Sequence, residues 1–193
     1  MTPERDYVTW HDYATLWVVT GVSGCGKTTV AHDVGQPLNA TIVSQDSTLI
    51  ERERRSGPGF IEKWDLDMAD RLLTQLLAHQ SIQYMGYSQK TAKRDQWIAL
   101  SSRPLIIFEG VLPFMVPAVR KYAALTFWVE APLEVCEARQ LARWQRDGWY
   151  PGQPEEEVIR RILIKRTEEL PIILEQRRLC RYAIDNAVNH EMD

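Results

Sequence analysis

The chain is poor in cysteine: its 193 residues hold three, Cys25, Cys136 and Cys180, far apart in sequence. A set so sparse and odd in number builds no disulfide framework and offers no paired metal-ligand spacing. The four histidines, His11, His32, His79 and His190, are equally scattered and read as surface or packing residues. No apolar run approaches the roughly 20 residues that a membrane span needs. The stretch from Met1 to Tyr13 is polar and carries acids, so it does not read as a secretory leader. Charge of one sign does not dominate either: the formal net charge is −3, which provides no broad basic surface for nucleic acid. Internal repeats and low-complexity tracts are also lacking. These absences set the expectation of a cytoplasmic protein with no membrane or nucleic-acid partner.

What is present is the balance of an ordinary globular chain, 45% apolar and 25% charged, of a length that fits one domain over residues 1–193. Short apolar runs read as buried strands at Leu16–Thr20, Ala40–Ser44, Leu105–Phe108, Leu125–Val129 and, more weakly, Arg181–Ile184. Helical patterns lie between them. One begins at Thr28, a second runs Leu66–His79 with its leucines on one face, and others cover Leu133–Trp144 and Glu155–Leu170. Pro154 followed by Glu155, Glu156 and Glu157 is a helix start. Ser56–Gly59 and Asp147–Pro154 read as loops, and about 139–155 reads as a lid. Continuous apolar strands alternating with helices predict a mainly parallel five-stranded sheet covered on both faces, a three-layer α/β sandwich. Ligands of such sheets sit beyond the C-terminal strand ends, here Thr20/Gly21, Ser44/Asp46, Glu109 and Glu130.

The first of those ends carries the most specific signal. Gly21-Val22-Ser23-Gly24-Cys25-Gly26-Lys27-Thr28 matches G-x-x-x-x-G-K-[ST] in full, between an apolar strand and a helix-forming run. The glycines let successive N–H groups converge on one anion, and the helix start adds its positive end. The predicted phosphate cradle is Gly21, Ser23, Gly24, Cys25, Gly26, Lys27, Thr28 and Thr29. Lys27 reaches the outer phosphates and the Thr28 hydroxyl holds Mg²⁺. Cys25 occupies a variable position of the motif and needs no redox role. The predicted fold is thus of the P-loop NTPase type, with ATP and Mg²⁺ as cofactors. No N-K-x-D guanine-reading sequence accompanies the loop, which argues against a GTPase switch.

Two carboxylates stand at neighbouring strand ends. Asp46 can accept the proton of an attacking hydroxyl or can simply cap a turn. Glu109 can hold Mg²⁺ opposite Thr28 or can be a solvated strand-end acid. With the loop, the segments Ser44-Gln45-Asp46-Ser47 and Phe108-Glu109-Gly110-Val111-Leu112 resemble the uridine kinase / phosphoribulokinase group of P-loop kinases, over about Leu16 to Asp185. The resemblance implies transfer of the γ-phosphate of ATP to a hydroxyl of a small molecule, with Asp46 as base and Glu109 assisting the metal.

On the acceptor side the resemblance points to Trp64 and Asp65, an aromatic–Asp pair that holds sugar hydroxyls in the group, although Leu66-Asp67-Met68 stands where the group has His-Pro. Asp65 equally fits a helix N-cap. Tyr87 aligns with a tyrosine that lines the base pocket, while Gln89-Lys90-Thr91-Ala92-Lys93-Arg94 holds no base-reading histidine. Lys90, Lys93 and Arg94 can meet an anionic acceptor, but such a run reads first as a solvated charged face. Arg139, Arg143 and Arg146 share a helix face by their spacing and can clamp the phosphoryl group. Where the group reads Glu-Arg-Gly-Arg, this chain reads Arg146-Asp147-Gly148-Trp149. Trp149 and Tyr150 can cover the acceptor or the adenine, or pack on the domain. The expected function is a kinase for a nucleoside. Nicotinamide riboside, pantothenate or a sugar-like alcohol is the alternative acceptor, and a non-catalytic nucleotide-binding regulator is the rival from outside the enzymes.

Overall fold

The computed structural model describes residues 13–57, 59–147 and 154–186. In chain order its elements are β1 (Thr15–Thr20), α1 (Lys27–Gly35), β2 (Thr41–Ser44), α2 (Leu66–Leu77), β3 (Ile82–Ser88), β4 (Lys93–Leu100), β5 (Leu105–Gly110), α3 (Pro117–Tyr122), β6 (Ala123–Glu130), α4 (Leu133–Asp147), α5 (Glu155–Ile164), α6 (Leu170–Arg177) and β7 (Tyr182–Asp185). Five strands form one sheet in the order β2-β5-β1-β6-β7, and every pairing in it is parallel. β1, entirely apolar from Leu16 to Val19, lies at its centre, as a strand buried on both faces must.

The register brings the functional strand ends level. Val19 and Ser44 both pair with Glu109, and Thr20 pairs with Gly110. One sheet face packs Leu16, Val18, Ile106 and Phe108 against Leu72, Leu73, Leu76 and Leu77 of α2. Each leucine so buried contributes about 1.5–3 kcal/mol. The opposite face packs Val19, Ile107 and Val129 against Ala31 of α1 and Cys136 of α4. A third cluster, with Val22, Leu49, Phe60, Trp64, Val111 and Trp128 among its members, sits where the phosphate loop, the strand ends and the chain before α2 meet.

Three features differ from the sequence reading. β3 and β4 form an antiparallel hairpin apart from the main sheet, where no strands were expected. Its signal is an alternation: Ile82, Tyr84 and Gly86 turn toward the protein while Gln83 and Met85 face solvent. The helix expected over Glu155–Leu170 stops at Ile164, passes through a five-residue π turn, Lys165–Glu169, and resumes as α6. Pro171 can donate no hydrogen bond to the carbonyl of Thr167 four residues earlier, and the helix widens just before it. α4 runs on to Asp147, three residues beyond its expected end. Most of the expected loop after it, with Trp149 and Tyr150, lies outside the described residues.

Candidate active site

The loop between β1 and α1 is built as the motif requires. Gly24 has φ 87° and Gly26, the residue that precedes α1, has φ 97°, both in the region L side chains avoid. A side chain at Gly24 would also collide with the carbonyl of Cys136 on α4. Val30 is the first residue whose amide is taken up inside the helix, by Gly26 O at 3.0 Å. The amides of Lys27, Thr28 and Thr29 precede it and have no intrahelical acceptor. Lys27 is 8% exposed, and its Nζ donates to Val22 O at 3.0 Å, across the mouth of the loop.

Cys25 differs from the rest of the cradle. Its amide donates to Val22 O at 3.2 Å, its carbonyl accepts from Asn186 Nδ2 at 2.8 Å, and its thiol is sealed in the core. Burial pushes that thiol up from its ordinary range, so it stays protonated and unreactive. Asn186, just past β7, was not anticipated, and nothing in its local sequence marks it.

Thr28 Oγ1 donates to Glu109 Oε1 at 3.2 Å, which brings the two expected metal ligands together across 81 positions of sequence. Glu109 is 4% exposed. Burial and then the charge of Asp46 raise its carboxyl above the usual range, while Lys27, Ser44 and Thr28 oppose that shift. Asp46 follows β2 in a 3₁₀ turn, Gln45–Thr48, and is the one exposed residue of that turn. The other three are fixed. Gln45 Nε2 donates to Leu112 O at 3.1 Å, and its Oε1 accepts from Leu112 N at 2.9 Å. Ser47 Oγ donates to Ser44 O and shares a hydrogen bond with the Tyr84 hydroxyl at 2.8 Å. Thr48 Oγ1 donates to Gln45 O at 2.8 Å. A turn clamped on three sides thus presents one carboxylate beside Glu109.

The acceptor side is more occupied than the sequence suggested. Trp64 is buried, stands edge-on to Phe60 with ring centroids 5.0 Å apart, and its Nε1 has no hydrogen-bond partner among the described residues. Asp65 caps α2, accepting from Met68 N at 2.8 Å through Oδ1, and its Oδ2 accepts from Arg94 Nη1 at 3.2 Å. Arg94 is therefore no part of a solvated face. It also donates from Nε to Leu49 O and from Nη2 to Thr48 O, each at 2.8 Å. Lys90 and Lys93 are exposed as expected. Tyr87 is half-buried against the third core cluster. Lys63 donates to the buried Glu169 at the end of the π turn.

Of the three arginines expected to serve the lid, Arg139 approaches the loop. Its Nη2 donates to Asn186 O at 3.4 Å, and its Nη1 is buried with no hydrogen-bond partner among the described residues. Arg143, farther along α4, is half-buried and Arg146 is exposed. Gln140, not singled out in the sequence, reaches the loop as well, with Nε2 donating to Ser23 O at 3.1 Å. Glu130, expected to join the chemistry at the tip of β6, instead accepts from Arg177 of α6. No group of three or more histidine, cysteine or acidic residues fit to hold a metal occurs among the described residues. None of their helices is long and apolar enough to cross a membrane.

The sequence matches the profile of the Phosphoribulokinase / Uridine kinase family over residues 59–176. Among characterised proteins it is similar to a uridine kinase of Ureaplasma urealyticum, 32% identical over 143 residues, which is 66% of this chain and 68% of the relative. Two solved structures share the fold. One is a Silicibacter protein provisionally named a fructose transport system kinase, with a TM-score of 0.65 at 18% identity, covering 95% of this chain and 93% of the other. The other is a possible uridine kinase of Bacillus stearothermophilus, with a TM-score of 0.56 at 19% identity and 89% of both chains covered.

Proposed function

The chain belongs to the phosphoribulokinase / uridine kinase family, and we propose that it moves the γ-phosphate of ATP to a hydroxyl of a nucleoside-like small molecule. The observation that carries this reading is the meeting of Thr28 and Glu109 at 3.2 Å, with Asp46 beside them, at the mouth of the phosphate loop. Three oxygen-bearing side chains next to a triphosphate cradle fit Mg²⁺, a hard cation that takes one or two carboxylates and leaves its other positions to phosphate and water. The raised Glu109 carboxyl points the same way, since a buried acid crowded by a second acid is relieved by a cation. Thr28 and Glu109 would hold the ion, and when bound it neutralises charge on the outer phosphates.

The protein groups divide the remaining work. The amides of Gly26 to Thr29 and the Lys27 ammonium bind the phosphates. Asp46 orients the acceptor hydroxyl and takes its proton as the new P–O bond forms and the bond to the β-phosphate oxygen breaks. Arg139 adds positive charge beside Gly26. Arg143 and Arg146, on the same helix leading into the lid, close over the phosphates and exclude water. Trp64, Asp65 and Tyr87 form the acceptor wall. A nucleoside acceptor is supported by the relatives named uridine kinase. The engagement of both Asp65 oxygens supports a second reading, a small alcohol without a ribose diol, such as pantothenate or a sugar-like compound.

An ADP-release assay over uridine, cytidine, nicotinamide riboside, pantothenate and hexoses, with Asp46→Asn as the blank, tests the assignment. One acceptor should support turnover that falls at least about 100-fold in Asp46→Asn, while ATP binding stays within about twofold. Near-normal turnover in that variant removes Asp46 from the role of base. No turnover with any acceptor would favour a nucleotide-binding regulator.

A further inference from the structure

Three partly buried cations in this protein are matched to carboxylates: Lys63 to Glu169, Arg94 to Asp65 and Arg161 to Glu157. Lys165 is not. It is half-buried, and its Nζ donates to Gln140 Oε1 at 3.2 Å, a neutral amide, with no carboxylate partner among the described residues. The same amide donates through Nε2 to Ser23 O of the phosphate loop at 3.1 Å. Lys165 thus stands one side-chain amide away from the loop.

Its place in the fold is set by the π turn. Lys165 opens that turn against α4, and Glu169 closes it, pinned by Lys63 on the acceptor side. Wide turns of this kind are rare within helices and concentrate at functional sites. The loop has a direction as well. Lys27 Nζ rests on Val22 O, so the Val22–Ser23 side is where the outer phosphate and the lysine that reaches it belong. Arg139, whose buried Nη1 has no hydrogen-bond partner among the described residues, flanks the loop at Gly26. Lys165 reaches the Ser23 side of the loop through Gln140. Two cations without carboxylate partners among the described residues, one near Gly26 and one linked to Ser23 through Gln140, match a ligand whose negative charge is spread over several phosphates.

We propose that Lys165 is a further catalytic cation, which leaves the Gln140 amide and donates to the outer phosphate of the bound triphosphate on the Ser23 side of the loop. This rests on the reading of the loop as the ATP site. The lysine stem has four rotatable bonds, so the ammonium can follow the phosphoryl group as it moves toward the acceptor. The proton of the acceptor goes to Asp46, and the electron pair of the breaking bond leaves with ADP.

Equilibrium titrations of the whole chain with ADP and with the non-hydrolysable imido analogue of ATP test the proposal without an acceptor. A charge-assisted hydrogen bond to the γ-phosphate corresponds to roughly a 10- to 100-fold change in affinity. Lys165→Met should weaken the analogue by about tenfold or more and ADP by less than about twofold, and Lys165→Arg should hold both within about threefold. Gln140→Leu should not reproduce that discrimination. Equal weakening of both nucleotides, an unchanged affinity for the analogue, or the same discrimination in Gln140→Leu overturns the proposal, the last because Lys165 would then act only by placing Gln140. Should Lys165→Met not fold, Lys165→Gln is read in its place. A wild-type chain that binds neither nucleotide overturns the ATP-site reading itself, a result distinct from failure of the variant alone.

Discussion

At the residue scale the site turns on Glu109. Its carboxyl is buried, sits beside Asp46 and is raised above the ordinary carboxylate range. An acid whose folded pKa is raised binds more protons folded than unfolded. Its contribution to stability is therefore complete below the unfolded pKa and is lost as pH rises through the folded one. At neutral pH, without a cation, the raised Glu109 carboxyl therefore counts against the stability of the fold. Glu109→Gln should then raise the melting temperature of the metal-free protein near pH 7 by about 2 °C or more, on the scale of 2–4 °C per kcal/mol for chains of this size. That gain should vanish below about pH 3, more than one unit under the ordinary glutamate pKa of about 4.3. Thermal melts of both proteins in chelator across that range decide it, and an unchanged or lower melting temperature at neutral pH contradicts the account. The same substitution should remove any stabilisation by Mg²⁺ with nucleotide. The sequence marked Glu109 by its place at a strand end. It also set Glu109 opposite Thr28 across a metal; the direct hydrogen bond between the two side chains was not legible, because it depends on the register of β5 beside β1.

Elements explain what the sequence hid. The loop, the central strands and α2 were legible because each carries a periodic or motif signal within a few residues. The clamp around Asp46 was not, since it joins four distant segments: Gln45 to Leu112, Ser47 to Tyr84, Arg94 to the carbonyls of Thr48 and Leu49, and Asp65 to Arg94. Arg94 in particular read as one member of a solvated charge run, and only the pairing of β4 with β3 turns it inward. Gln45 is fully buried and makes two hydrogen bonds to the backbone of Leu112, close against Gly110. Replacing it with leucine strands a buried carbonyl and a buried amide, which costs about 1–3 kcal/mol for each group left unsatisfied. Gln45→Leu should lower stability by about 2–5 kcal/mol in urea unfolding and depress kcat through the position of Asp46. Gln45→Glu should preserve the bond from Leu112 N and lose the one to Leu112 O, giving an intermediate loss. Wild-type stability in the leucine variant would show that the turn is held by other contacts.

For the whole molecule, the sheet order β2-β5-β1-β6-β7 makes β1 the point from which the chain winds out in both directions, and a crevice opens above its C-terminal end. That crevice is where the phosphate loop sits. It also explains why the donor half was easier to read than the acceptor half. The donor half is local, a strand, a loop and a helix in 21 consecutive residues from Thr15 to Gly35. The acceptor half is assembled from the chain before α2, the hairpin and the π turn, which touch only after folding. A ligand bound across this crevice ties together elements from both sides of the sheet, so it should stabilise the fold as a whole. At 100 times its dissociation constant a ligand adds about 2.7 kcal/mol, or roughly 5–11 °C in melting temperature. ATP with Mg²⁺ should produce a shift of that size in the wild-type chain. Asp46→Asn should keep the shift, because in the proposed mechanism Asp46 acts on the acceptor, and Glu109→Gln should show the same smaller shift with and without Mg²⁺. Differential scanning fluorimetry on the three proteins separates the roles. A lost shift in Asp46→Asn would place that carboxylate among the metal ligands instead of at the acceptor hydroxyl.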